Sequence, residues 1–105
     1  MKPEKQSIAL PSGTLDYWVA GEGTPVVHCH PAGGVRWGGV QKALATKFKL
    51  YTPIVPGFDG TADHADIETI RDVAGLIARF IDRAIGKPVD LIGHSFGGWV
   101  AAWLA

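Results

Sequence analysis

Gly93-His94-Ser95-Phe96-Gly97 is the stretch that most restricts what this chain can fold into. Before it, Val89 to Ile92 is a short apolar run that reads as a buried strand; after it, an Ala/Trp/Leu-rich run to Ala105 reads as a buried helix. Gly-x-Ser-x-Gly between a strand and a helix is the sharp elbow that presents a nucleophilic serine. A strand turning at once into a helix brings together the backbones on either side of the serine. Glycine is the residue that tolerates such an approach, and Gly93 and Gly97 stand at those places, with a further glycine at Gly98. Ser95 is then forced outward with Oγ at the tip. The N–H of Phe96 falls in the first turn of the helix, where unpaired amides and the positive dipole end favour a developing oxyanion.

The rest of the chain supplies a frame for that elbow. Ser7–Leu10 and Leu15–Ala20 are β-prone runs around Pro11-Ser12-Gly13-Thr14 and predict an antiparallel hairpin at a sheet edge. Val26–Cys29 predicts a buried parallel strand ending in the loop His30-Pro31-Ala32-Gly33-Gly34. A helix follows over Trp37–Phe48, with Val40, Leu44 and Ala43 or Phe48 inward, and then a strand over Lys49–Ile54. From Ile67 to Ile85, apolar residues recur at three- and four-residue steps, which predicts an amphipathic helix with Asp66 as N-cap. Gly86 suits its C′ position, and Pro88 prevents continuation. Strand and helix alternating in this way predict βαβ units, a parallel sheet and right-handed crossovers.

Gly-His-Ser-Phe-Gly-Gly, with His30-Pro31-Ala32-Gly33-Gly34 and Pro56-Gly57-Phe58-Asp59-Gly60-Thr61 upstream, resembles the α/β-hydrolase superfamily from about Ile8 to Ala105. The resemblance implies an α/β fold of five strands and three helices. Residues 1–105 would form the N-terminal portion of a single α/β-hydrolase domain. It implies Ser95 as nucleophile and the backbone N–H groups of Phe96 and Ala32 as an oxyanion hole. His30, Gly33 and Gly34 would belong to the oxyanion loop, with His30 structural. Pro31 stands where the family commonly has glycine, and Asp59-Gly60-Thr61 replaces the commoner Gly-x-Ser. In this superfamily the triad runs Ser, then Asp or Glu, then His. Only apolar helix follows Ser95, so the acid and base are expected outside these residues. The implied activity is hydrolysis of an ester, lactone, thioester or amide through an acyl-enzyme, with a small-molecule acyl substrate and no cofactor. Serine rather than aspartate at the elbow argues against the epoxide-hydrolase and dehalogenase branches. Two other readings remain: a non-catalytic ligand-binding member of the fold, and an inactive truncated fragment.

Other polar residues have plainer explanations. His28 and His30 form a His-x-His whose side chains should share one strand face. That is a metal-ligand spacing without a convincing third ligand, so no metal is expected. His94 adjoins the nucleophile but points the wrong way to accept its proton. Asp59, Asp63, Asp66 and His64 crowd one loop; an acid–base pair is conceivable there, and turns and N-caps explain the aspartates as well. Cys29, the single cysteine, reads as a small buried apolar residue. With 47% hydrophobic and 19% charged residues and a formal net charge of zero, the chain is a globular one with no basic patch for nucleic acid or membrane. The polar N-terminus leads into no long apolar segment, so neither a signal peptide nor a span is expected, and the default location is cytoplasmic.

Overall fold

The computed structural model describes residues 2–65 and 67–105. Strands β1 (Glu4–Leu10) and β2 (Gly13–Ala20) form the antiparallel hairpin, with Ile8 opposite Leu15. The hairpin turn ends in Gly13, whose φ of 141° suits only glycine. β3 (Pro25–Cys29), β4 (Lys49–Pro53) and β5 (Asp90–Gly93) complete a mixed sheet in the order β1-β2-β4-β3-β5. β3 pairs in parallel with β4 on one side and β5 on the other, and β2 pairs antiparallel to β4. β2 is therefore interior rather than at the edge. Its imperfect alternation reflects a wet stretch shared with β1, where Asp16 accepts a 2.6 Å bond from Ser7.

Helix α2 (Ile70–Phe80) buries Val73, Ala74, Leu76, Ile77 and Phe80 against the sheet, and a π-helical turn, Ile81–Ile85, extends it to Gly86 in left-handed conformation. Phe80 is fully buried with its ring edge-on to Tyr17 at 4.8 Å, the geometry that aligns the ring quadrupoles. The expected cap Asp66 lies outside the described residues. The helix starts later, with Thr69 as N-cap: its hydroxyl accepts from Asp72 N–H, and the Asp72 carboxylate accepts from Glu68 and Thr69 N–H. Helix α3 (Phe96–Leu104) packs beside α2 on the same face, over Val27 and Cys29.

Helix α1 (Gly39–Ala45) is shorter than the predicted Trp37–Phe48 segment and differs in its inward face. Ala45 is its buried residue, Leu44 and Phe48 are half-buried, and Val40 is 64% exposed because it borders a groove rather than the sheet. The terminal helix is also less buried than its composition predicts. Only Gly97 and Val100 are covered, while Trp99 and Trp103 are 62% and 53% exposed. With the other four strands all on one side of it, β5 is an edge strand, and among the described residues the outer flank of α3 has no covering element.

Because β4 and β5 flank β3 on opposite sides, the crossover from β3 to β4 runs one way across the sheet and the crossover from β4 to β5 runs back the other. In open α/β sheets this switch point opens a crevice at the carboxyl ends of the strands, where ligands bind. The loops after β3, β4 and β5 all meet there.

Candidate active site

Ser95 sits at that crevice with φ 56° and ψ −116°, a conformation that L-residues rarely adopt. A serine heading a helix ordinarily turns its hydroxyl back onto the first amides. Here it makes no such cap bond, and the residue is exposed. The elbow is locked by His94 N–H donating to the Cys29 carbonyl (3.3 Å) and Gly97 N–H to the His94 carbonyl (3.0 Å).

The glycines divide the crowding differently from the sequence expectation. A Cβ on Gly93 would come 2.5 Å from the Gly97 carbonyl oxygen and 2.6 Å from Gly98 N. A Cβ on Gly97 would instead overlap the carbonyl of Cys29 and lie 2.6 Å from that of His30, on the neighbouring strand rather than on the backbone before the elbow. Gly98 is freer, since its Cβ would meet only the Gly93 carbonyl at 3.7 Å.

The loop after β3 is fixed by its histidine. His30 is 1% exposed; its Nε2 accepts from Val55 N–H at 3.0 Å, so its Nδ1 carries the proton donated to the Pro31 carbonyl at 2.7 Å. Gly34 N–H also donates to that carbonyl, closing a turn over Pro31–Gly34 with Gly34 at φ 95°. The Pro31–Ala32 peptide is trans and planar, so holding its carbonyl inward turns the Ala32 N–H the opposite way. Pro31 lacks an N–H, but its carbonyl anchors the loop. Behind this turn, Phe58 and Phe96 stack at 5.6 Å, with the His30 ring 5.2 Å from Phe58. Sequence reasoning gives Phe58 no role; its signal was an apolar residue inside a Pro/Gly loop.

His28 lies within β3 and His30 in the loop that follows it. His28 lines a groove of about 510 Å³ with Pro31, Arg36, Gln41 and His94, and its buried Nδ1 has no partner among the described residues. Burial, and then the neighbouring His30 and His94, hold its pKa below the ordinary value, so it is neutral at pH 7. Among the described residues, no three His, Cys, Asp or Glu side chains come together as a metal site. Burial pushes the Cys29 thiol up to about 11, which keeps it protonated and unreactive.

Among the described residues, the acidic loop forms no acid–base pair. His64 turns to the hairpin, with Nε2 on the Thr14 carbonyl and Nδ1 on the Ser12 hydroxyl, each at 3.0 Å. Asp59 takes φ 50° and accepts from Val35 N–H at 2.8 Å. Thr61 Oγ1 accepts from Gly57 N–H and donates to the Phe58 carbonyl, closing the turn. No helix of the described residues is long and apolar enough to cross a membrane.

Known proteins resemble this chain in sequence and in fold. The 2-hydroxymuconate semialdehyde hydrolase of Pseudomonas sp. (strain CF600) is 33% identical over 98 residues, which is 82% of this chain and 32% of that protein. A candidate lipase from Acinetobacter baumannii AYE superposes with TM-score 0.87 and 27% identity over 98% of this chain and 36% of its own. An epoxide hydrolase from Vigna radiata gives 0.86 at 23% identity over 97% of this chain and 35% of its own, which is a likeness of fold. This chain thus spans about a third of the length of these proteins. The family model described as "Alpha/beta hydrolase family" matches residues 26–105, and with the elbow, the β3 loop and the sheet order it shows that the chain belongs to the alpha/beta hydrolase family.

Proposed function

We propose that this chain is the nucleophile-bearing, N-terminal portion of a single-domain serine hydrolase that cleaves an ester, lactone, thioester or amide through an acyl-enzyme. The observation that carries the reading is Ser95 at a positive φ, outside the ordinary regions for L-residues, at the head of α3, its hydroxyl unspent on capping. Strain of this kind persists only where the surroundings enforce it, and it gathers at functional sites. In this reading Ser95 Oγ attacks the acyl carbon and expels the leaving group, and water then releases the acid. The N–H groups of Phe96 and Ala32 receive the oxyanion; a donor of this type is worth roughly 2.7–4 kcal/mol in kcat. A histidine and a carboxylate from outside these residues activate Ser95, in keeping with the share of its relatives that the chain spans. The relatives act on different substrates, and the proposal accordingly covers these acyl classes together.

The test is labelling of the whole protein with a fluorophosphonate and turnover of p-nitrophenyl acetate. Labelling at Ser95 is expected, and Ser95→Ala should fall to the roughly 10³–10⁴-fold rate over water that binding and the oxyanion hole alone sustain. Wild-type turnover in Ser95→Ala would sink the assignment.

A further inference from the structure

We propose that Asp59 is a positioning residue for the oxyanion loop, a role that rests on the serine-hydrolase reading above. Three observations converge on it. Asp59 takes φ 50°, where a residue with a side chain needs outside support, whereas the family's commoner glycine at this place needs none. Its carboxylate Oδ2 accepts the Val35 N–H at 2.8 Å, bridging the loop after β4 to the loop after β3. The other oxygen lies where a Cβ on Gly34 would be, so the carboxylate is seated directly against the backbone that closes the Pro31–Gly34 turn.

The loop is thus held at two points by the segment after β4. At its start, His30 takes the Val55 N–H and grips the Pro31 carbonyl. At its end, Asp59 grips Val35 and backs Gly34. Ala32, the proposed donor, lies between the two. A turn pinned at one end only can pivot; pinned at both, it fixes the direction of the Ala32 N–H before substrate arrives. Preorganisation of this kind acts on the transition state, where negative charge develops, so its loss should appear in kcat rather than KM.

Asp59→Gly removes the carboxylate and relieves the backbone, so the fold should be kept while the clamp is lost. Asp59→Asn keeps a side-chain oxygen and tolerates the left-handed conformation. In the whole protein, Asp59→Gly should melt within a few degrees of wild type and show kcat and the fluorophosphonate labelling rate lowered roughly 10–100-fold, the scale of a small misplacement. KM should hold, and Asp59→Asn should recover most of the rate. Val35 N–H should exchange slowly with solvent in the wild type and rapidly in Asp59→Gly. Ser95-dependent turnover indifferent to Asp59→Gly would overturn the clamp alone. So would a loss of rate that merely follows a lowered melting temperature and is not recovered by Asp59→Asn, or a Val35 amide unprotected in the wild type. Turnover that does not depend on Ser95 would overturn the hydrolase reading and the clamp with it.

Discussion

A methyl group on Gly97 would collide with the backbone of Cys29 and His30, which is rigid on both sides: Cys29 is paired in β3, and His30 is bonded to Val55. One position later, a methyl on Gly98 meets nothing closer than 3.7 Å. The two adjacent glycines of one helix turn should therefore respond with opposite signs. Gly97→Ala should destabilise the protein by roughly 1–3 kcal/mol, the usual cost of overpacking, and should push on the segment that leads into the loop after β3. Gly98→Ala should be neutral or stabilise by up to about 1 kcal/mol, because alanine loses less freedom than glycine in a helix. Denaturant melts of the two variants provide the check, and equal midpoints would contradict the packing described for the elbow.

The Thr69–Asp72 box at the start of α2 shows what a sequence can and cannot reveal about an element. Accepting from Glu68 N–H, then from the N–H and hydroxyl side of Thr69, holds the Asp72 carboxyl below its ordinary value of 3.8. A depressed carboxyl contributes stability that is fully present above the unfolded value and is lost as pH falls through the folded one. Asp72→Asn should thus lower the melting temperature at pH 7, with the gap to wild type closing as pH drops below 3.8; a gap that persists into acid would count against the box. The box was readable as Thr-x-x-Asp before an apolar run, yet Asp66 competes for the same role, and only the backbone path chooses between them. The elbow, the hairpin, the three parallel strands and Gly86 were legible because each is dictated locally, by glycine geometry or apolar runs. Where neighbours decide, the sequence misled. Val40 fits an inward face but borders a groove. Asp59 was hidden for the same reason, since its partner Val35 lies 24 residues away.

Taken as a whole, the molecule has one well-finished side and one open one. β1 borders one edge with a charged, exposed strand, which discourages further pairing. At the other edge, β5 carries Leu91 and Ile92 and, among the described residues, pairs only with β3. Beside it, Trp99 and Trp103 flank a shallow apolar dent with Ala102, and the groove along His28 and His94 opens on the other face of the sheet. An unprotected edge strand next to an exposed apolar patch is a template for association. Among the described residues no side chain hydrogen-bonds the Ser95 hydroxyl, and a hydroxyl without an adjacent base is a weak nucleophile. A polypeptide of residues 1–105 alone should therefore self-associate, melt without a sharp transition, and leave p-nitrophenyl acetate unhydrolysed. Replacing Trp99 and Trp103 together by charged residues should shift its size distribution toward the monomer without creating turnover. Size-exclusion chromatography with light scattering, a thermal melt and an esterase assay on the same sample decide the matter. A monodisperse monomer that unfolds cooperatively and hydrolyses the ester in a Ser95-dependent way would show that these residues already form a finished catalytic unit, and the proposed role of residues outside them would fall.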